Sequence, residues 1–260
     1  MKRKAPNMTY PWIIAHRGDH RNQIENTLEA IQEAYDQGAQ LIECDIQITQ
    51  DGIPFLFHDD NLNRFHHNKQ DLYRLDWEQI SMFELVETKA EKELKRRIPS
   101  LQSYIQQFSH QPAYLELKIP NSRWNHPNYV QDLCEKSLVQ LSQHDLHSDT
   151  FLASFHPDVG DILRALNSKF KYARIFEYPT EFNKYFSDLT QFESIIQAEH
   201  LDYISLSWKN IVKPRLKDFE KLDTSKIMLW DIKGEDFLRF KNIEIEKGSF
   251  KALISDTFYL

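Results

Sequence analysis

Short apolar stretches, rich in β-branched and aromatic residues, recur along the chain and alternate with segments of helical periodicity. Each apolar stretch is typical of a short buried strand. Strands separated by helices indicate a parallel sheet with helices packed outside it, and a closed barrel is the simplest such arrangement. The predicted strands are Trp12–Ala15, Gln40–Ile46, Ile53–Phe57, Ala113–Leu117, Thr150–Ser154, Tyr172–Phe176, Asp202–Leu206, Lys226–Trp230 and Ala252–Ser255.

The link between the second and third predicted strands departs from this alternation. Only a turn, TQDG, lies between Ile46 and Ile53, so these two strands are joined without a helix. Nine candidates also exceed the eight strands of a (β/α)8 barrel, so one is expected to be an extra hairpin partner. The stretch from about 59 to 97 contains no clean strand and includes the polar run FHHNKQD. It therefore indicates a small insertion after the third strand, over one end of the sheet.

The first helix has the clearest boundaries. Asn26 is predicted to cap it, Glu29 to complete a capping box, and Gly38 to end it. Leu28 and Ile31 lie on the apolar face of this helix. Prolines stand near the start of three later helical patterns, at Pro99, Pro127 and Pro157.

Length and composition agree with one globular barrel. A chain of 260 residues has the ordinary size of a single (β/α)8 barrel, so we expect one domain over 1–260 with the insertion at about 59–97. Hydrophobic residues at 41% and charged residues at 27% do not favour disorder. The formal net charge of -7 argues against nucleic acid as a partner, and the basic run EKELKRR is more typical of a solvated loop or helix face.

The start of the chain and its cysteines restrict the location and the kinds of site. The residues MKRKAPNMTYPW lack a long apolar run and a small-residue cleavage site, so we expect a cytoplasmic protein without a stable membrane anchor. Only Cys44 and Cys134 are present, which excludes a disulfide scaffold and gives no zinc-type spacing. The sequence predicts no oligomeric state.

Two carboxylates lie inside the second predicted strand, in LIECDI. Glu43 and Asp45 are two residues apart, so both side chains point to one face of the sheet while Cys44 points to the other. Neighbouring carboxylates repel each other unless they share a proton or a cation, and oxygen ligands suit hard ions such as Mg²⁺ or Ca²⁺. The pair therefore indicates a metal site, with salt-bridged or strand-end carboxylates as the alternative.

A third carboxylate follows in YLELKIP, where Glu116 and Lys118 share a face. Lys118 could neutralise Glu116 in a structural ion pair, or it could bind the phosphate of a substrate. The residues alone leave both interpretations open.

Two histidines directly follow apolar strands. His16 ends WIIA and His58 ends IPFLF, so both are expected at the carboxyl ends of barrel strands, where catalytic groups usually lie. Two imidazoles can act as acid and base near neutral pH. Arg17 offers a donor fork for phosphate, and Gly18 permits close approach of the backbone.

Trp230, which ends the strand KIMLW, is predicted as a wall of the same cleft. The other histidines lack this strand-end position and receive no chemical role. They are His20, His66, His67, His110, His126, His144, His147, His156 and His200.

Ordered motifs across most of the chain resemble the glycerophosphodiester phosphodiesterase family. The strongest are AHRG, ENTLEA, GAQLIECDIQITQDGIPFLFHD and NLNRF within the first 65 residues, followed in order by IPSL, LELK, ASF, LW and ISD. The resemblance implies a TIM-type barrel with a small insertion after the third strand. It also implies hydrolysis of glycerophosphodiesters to glycerol 3-phosphate and an alcohol.

The same resemblance implies a role for each candidate residue. His16 and His58 would be the acid and base pair, and Arg17 and Lys118 would face the phosphate. One divalent cation would be bound, either Mg²⁺ or Ca²⁺, with Mn²⁺ also compatible. Its ligands would be Glu43, Asp45 and Glu116.

Two departures from the family pattern concern the substrate. The family usually has Trp-Thr-x-Asn where this chain has Trp230, Asp231, Ile232 and Lys233, and Thr-Thr where it has Phe65 and His66. A different alcohol group is therefore an open possibility. The alternatives are a lysophospholipase D-like or phospholipase C-like lipid phosphodiesterase, and a noncatalytic ligand-binding barrel.

Overall fold

A computed structural model describes residues 11–66, 69–176, 201–207, 224–233 and 250–256. The basic first residues, His67 and His200 lie outside the described residues. The described strands are β1 (Trp12–Ala15), β2 (Leu41–Ile48), β3 (Pro54–Leu56), β4 (Glu84–Lys89), β5 (Lys92–Arg97), β6 (Ala113–Leu117), β7 (Phe151–Ser154), β8 (Lys171–Phe176), β9 (Tyr203–Ser207), β10 (Ile227–Ile232) and β11 (Ala252–Ser255). The described α-helices are α1 (Leu28–Asp36), α2 (Asn63–His66), α3 (Trp77–Met82), α4 (Leu101–Phe108), α5 (Pro127–Ser142) and α6 (Val159–Ala165).

Eight parallel strands form a closed barrel. From β2 the order runs through β6, β7, β8, β9, β10 and β11 to β1, and β1 also pairs with β2. The closing pair places Trp12 opposite Ala252 and Ala15 opposite Ser255. The predicted TIM-type barrel is therefore confirmed, and every predicted strand overlaps one of the described strands.

Alternating side chains of these strands fill the barrel interior. Trp12, Tyr114, Phe151 and Met228 belong to a buried cluster built from strand residues alone, whereas the residues between them pack against the helices. Because successive side chains of a strand point to opposite faces, Glu43 shares the inner face of β2 with Leu41, two residues earlier. The apolar layers thus support polar groups at the carboxyl ends of the strands.

The third strand is the expected extra hairpin partner and is not one of the eight barrel strands. β3 pairs antiparallel with β2, with Pro54 opposite Ile48, and no helix connects them. The Thr49 N–H donates to the Ile53 carbonyl at 3.1 Å, and Gly52 adopts a left-handed φ of 81° in this turn. The ninth predicted strand is thus this hairpin partner, and the other eight form the barrel.

The insertion contains a β-hairpin, so the expectation of no clean strand between 59 and 97 is wrong. β4 and β5 pair antiparallel, and EKELKRR contains the whole of β5 rather than forming a loop or helix face. Leu85 and Leu94 are buried in a separate apolar cluster beneath the hairpin. The two turn residues, Ala90 and Glu91, have φ values of 46° and 65°, so the usual Asn-Gly signal of such a turn is missing.

The start of α1 also differs from the prediction. Thr27, not Asn26, is the N-cap, and its hydroxyl accepts the Ala30 N–H at 3.2 Å. Asn26 has a left-handed φ of 56°, and Glu29 forms no capping box. Gly38, with a φ of 93°, follows the end of the helix as expected.

Three later helices begin at or near the prolines that the sequence analysis marked as helix starts. α5 begins at Pro127, α4 begins two residues after Pro99, and α6 begins two residues after Pro157. None of the described helices has the length and hydropathy of a membrane-spanning segment.

Candidate active site

Three buried carboxylates converge at the carboxyl ends of β2 and β6. Asp45 stands opposite Glu116 in the register of these strands, and Glu43 lies one pair earlier on the same face. One ligand oxygen from each of the three lies within 4.8 Å of the others. Glu43, Asp45 and Glu116 are 3%, 1% and 7% exposed as residues, so water provides little screening of their repulsion.

This repulsion, together with burial, shifts the pKa values of the three acids. Burial and the neighbouring Asp45 raise the pKa of Glu43 well above its usual range. Burial also raises the pKa of Glu116, against the opposing effect of Lys118. For Asp45, Arg17 and Lys118 outweigh burial and hold its pKa well below the ordinary value. Such a cluster is stabilised by a proton or by a hard cation, and its oxygen donors suit Mg²⁺, Ca²⁺ or Mn²⁺.

Arg17 and Lys118 place two positive charges beside the acidic cluster. The backbone N–H of Arg17 donates to a Glu43 carboxylate oxygen at 2.9 Å, and the guanidinium Nε of Arg17 lies 3.2 Å from Asp45. The Lys118 amine lies 3.3 Å from Glu116 and 3.8 Å from Asp45. The ion pair of Lys118 with Glu116 is therefore present, and it lies inside the site rather than apart from it.

Both strand-end imidazoles are held through Nδ1 by a carboxylate. The Nδ1 of His16 lies 2.6 Å from Asp256, which follows β11, and the Nδ1 of His58 lies 2.8 Å from Asp59. The Nε2 of His16 lies 3.9 Å from Glu43. Burial lowers the pKa of His16, against the bond to Asp256, which favours the charged form. Each histidine therefore has a fixed ring with Nε2 left for chemistry.

A continuous chain of ion pairs runs from His58 through Asp59, Arg64 and Glu25 to Arg17, which follows His16 in the sequence. Arg64, in α2 of the insertion, binds Glu25 through two nitrogens at 2.8 Å each and Asp59 through Nε at 2.9 Å. Glu25 also accepts a bond of 2.9 Å from Arg17. The insertion thereby supports His58 on one side and Arg17 on the other.

Two adjoining cavities open at this end of the barrel. The smaller cavity, about 240 Å³, is lined by both imidazoles, Arg17, Glu43 and Trp230. Trp230 therefore lies in the wall of the cleft, as the sequence predicts. The larger, about 550 Å³, shares His58, Glu116, Lys118 and Phe155 with the first. Seven of the eight predicted site residues therefore line one cleft, and the eighth, Asp45, contacts Arg17 and Lys118 beside it.

Sequence reasoning missed several residues of this cleft. His20, which received no role, lies 3.1 Å from the same Asp256 oxygen that contacts His16, and the three side chains form a second group with metal-binding atoms close together. Asn26 donates to Asp45 at 2.9 Å, although it was interpreted as a cap. Strand-end position could have identified Asp256 directly after ALIS, whereas Glu25 and Arg64 lie within the family motifs ENTLEA and NLNRF but received no role.

Comparison with known protein families matches residues 16–240 to the glycerophosphoryl diester phosphodiesterase family. The chain belongs to this family. The matched range contains all eight predicted site residues, whereas β1, β11 and Asp256 lie just outside it.

Individual relatives agree with this assignment. A lysophospholipase D from Mus musculus is 33% identical over 125 residues, which are 44% of this chain and 36% of that protein. A glycerophosphodiester phosphodiesterase from Caldanaerobacter subterraneus is 26% identical over 144 residues, covering 55% of this chain and 58% of that one. The chain thus spans less than two thirds of the length of these curated relatives.

Solved structures extend the likeness of fold to nearly the whole chain. An Oleispira antarctica phosphodiesterase in complex with the product sn-glycerol-3-phosphate has a TM-score of 0.72 at 21% identity, covering 95% of this chain and 93% of that one. A glycerophosphodiester phosphodiesterase from Thermotoga maritima has a TM-score of 0.70 at 16% identity, covering 96% of both chains. At these identities the likeness concerns the barrel fold.

Proposed function

We propose that this family member hydrolyses glycerophosphodiesters to glycerol 3-phosphate and an alcohol, with the help of a divalent cation. The observation that carries the proposal is the convergence of Glu43, Asp45 and Glu116 between His16 and His58. The names of the relatives, and the glycerol 3-phosphate product bound by the Oleispira structure, support the same substrate class.

The three carboxylates fit a cation because their oxygens are close, buried and mutually repulsive. Glu43, Asp45 and Glu116 would hold Mg²⁺ or Ca²⁺, with Mn²⁺ also compatible. When bound, the cation supplies positive charge for the phosphate oxygens in the transition state.

Arg17 and Lys118 would bind the phosphate on its other sides. A phosphodiester anion resists attack because its oxygens repel the incoming nucleophile, so the site must offset that charge and orient the reacting atoms. Both cationic groups already lie within 4.0 Å of the acidic cluster. They therefore need little reorganisation to meet an anion there.

The two imidazoles would transfer the protons. One histidine takes a proton from water or from the glycerol 2-hydroxyl, and the other gives a proton to the leaving alkoxide. Attack by the 2-hydroxyl forms a cyclic phosphate, which a water molecule then opens. Asp256 and Asp59 each accept from Nδ1, so His16 and His58 present Nε2 for both steps.

Metal restoration and histidine variants test this proposal. We expect metal-depleted protein to lose turnover of glycerophosphocholine and to regain it with one of the three cations. His16→Ala and His58→Ala should each lower kcat by about 10²-fold or more. His110→Ala is the matched control, because His110 is exposed and lies outside the cleft. Near-normal turnover in both cleft variants would reject the acid and base roles, and substrate binding without any product would favour a noncatalytic barrel.

A lysophospholipase D activity is the second candidate. The Mus musculus relative bears that name, and the smaller cavity has apolar walls from Ile175, Ile254 and Trp230. Assays of glycerophosphocholine and lysophosphatidylcholine side by side distinguish the two substrate classes. Exclusive turnover of the lipid would overturn the preference for the deacylated diester.

A further inference from the structure

His20 brings a second imidazole to the carboxylate that holds His16. The Nδ1 of His16 lies 2.6 Å from one oxygen of Asp256, and the Nε2 of His20 lies 3.1 Å from the same oxygen. The two rings meet edge to face, with their centres 5.9 Å apart. One ligand atom from each of the three residues lies within 4.8 Å of the others. They therefore form a group of two nitrogens and one oxygen beside the ends of β1 and β11.

The ring nitrogen of His20 is placed for a ligand rather than for a hydrogen bond. Its Nε2 is buried, yet it has no well-aligned hydrogen-bond partner among the described residues. A buried polar atom of this kind calls for a partner. Lys233 approaches the other oxygen of Asp256, at 3.7 Å, so the oxygen between the imidazoles is left to the two rings.

The loop after β1 fixes the position of His20. The residue before it, Asp19, is fully buried, and its carboxylate accepts the backbone N–H of Arg21, the residue after it, at 3.2 Å. The same carboxylate accepts from the side-chain amide of Gln37, at the end of α1, at 3.0 Å. His20 is therefore anchored on both sides, and binding of a ligand there requires little ordering of the loop.

The donor atoms of this group differ from those of the three carboxylates. Two imidazoles and one carboxylate suit Zn²⁺, whereas sites with oxygen donors alone suit Mg²⁺, Ca²⁺ and Mn²⁺. Bonds of about 2.0–2.1 Å in a tetrahedral zinc site separate the ligand atoms by about 3.4 Å. The separations of 2.6 Å and 3.1 Å to the Asp256 oxygen would have to widen by about 0.8 Å and about 0.3 Å. Small rotations of the side chains supply such shifts.

We propose that His16, His20 and Asp256 bind a zinc ion that inhibits the enzyme, at a site separate from the three carboxylates. With zinc on Nδ1, the proton that this nitrogen shares with Asp256 leaves to solvent. The remaining ring proton stays on Nε2, so His16 can no longer accept a proton there. His16 also cannot act as the acid, because its imidazolium form needs a proton on the nitrogen that zinc holds. The inhibitory effect rests on the proposed function of His16.

Zinc titration of turnover tests the inhibitory effect. Turnover of glycerophosphocholine is measured with the activating cation at saturation and zinc chloride added in steps, and each variant is scaled to its own zinc-free rate. We expect zinc to inhibit the wild type well below the concentration of the activating cation. His20→Ala should raise the half-inhibitory zinc concentration about tenfold or more, because one of three ligands is lost. His110→Ala is the matched control, because His110 is an exposed histidine outside the group, and it should keep the inhibition of the wild type.

Two measurements of binding do not depend on turnover. With the activating cation in excess, equilibrium dialysis should show about one tightly bound zinc ion fewer in His20→Ala than in the wild type. In the unaltered protein, Co²⁺ in place of zinc should give the strong visible absorption of a four-coordinate site, and zinc should remove it. Weak absorption typical of six-coordinate cobalt alone would contradict the site, however the variant folds.

The remaining outcomes separate this inference from the proposed function. Equal zinc inhibition of the wild type and His20→Ala would place zinc on the three carboxylates and overturn the inference. Zinc activation that depends on His20 would also overturn it, because the ion would then assist turnover. Absence of turnover with every cation and every diester would reject the proposed function, and the dialysis and cobalt results would still decide whether the zinc site exists.

Discussion

Asn26 holds Asp45, one of the candidate metal ligands, in place. Replacement of Asn26 should therefore lower the free energy of unfolding far more than loss of a helix cap would. Its side-chain amide donates to the Asp45 carboxylate at 2.9 Å and its carbonyl accepts the Asp45 N–H at 3.1 Å. The residue is 1% exposed and has a φ of 56°. Asn26→Ala would remove both bonds and place an alanine in the left-handed region.

The magnitude follows from three contributions. A hydrogen bond to an ionised carboxylate is worth about 1.5–3 kcal/mol, and the Asp45 N–H left without a partner costs about 1–3 kcal/mol. Alanine in a left-handed conformation costs roughly 1–2 kcal/mol more. We therefore expect Asn26→Ala to lower the free energy of unfolding by roughly 4 kcal/mol or more, a large share of the total for a domain.

Urea titration followed by circular dichroism measures this loss, with two variants as controls. Asn26→Gly should be about 1 kcal/mol less destabilised than Asn26→Ala, because glycine tolerates the backbone conformation. Thr27→Ala, which removes the actual cap and the hydroxyl's bond to the Ile24 carbonyl, should cost only about 2 kcal/mol. A larger loss in Thr27→Ala than in Asn26→Ala would refute the reasoning, because helix capping would then outweigh support of Asp45.

Three further predictions concern groups around the cleft. Gly18→Ala should lower the free energy of unfolding by roughly 3 kcal/mol, measured by urea titration, because its φ is 74° and a Cβ would lie 2.6 Å from the backbone of α1. Asp256→Asn should lower kcat by about 10²-fold with KM little changed, because an amide no longer fixes the His16 ring; steady-state kinetics that match the wild type would contradict this. Arg64→Met should lower kcat about tenfold through His58, so a double variant with His58→Ala should lose no more than His58→Ala alone.

The local sequence pattern was sufficient to predict the barrel strands, because both of their faces are buried. Apolar strands such as Ala252–Ser255 are buried on both faces and appear as continuous runs, and the two-residue spacing of Glu43 and Asp45 fixes their shared face. The cation, the acid and base roles and the single-domain extent over 1–260 stay predictions.

Other features depend on contacts that no local pattern contains. The β4–β5 hairpin turns at Ala90 and Glu91, which are ordinary residues in left-handed conformations, so its signal is absent from the sequence. His16 meets Asp256 across 240 positions of the chain. Such a contact follows from closure of the barrel, and only a three-dimensional structure brings it out.

The pairing of β1 with β11 also decides when the cleft can be completed during synthesis. A nascent chain that has not yet released β11 from the ribosome has open edges on β1 and β10, and its His16 has no Asp256. The facing edges of β1 and β10 therefore stay unpaired until β11 is released, and a chain arrested or cleaved before residue 250 would lack the Asp256 contact to His16 and be prone to edge-to-edge association.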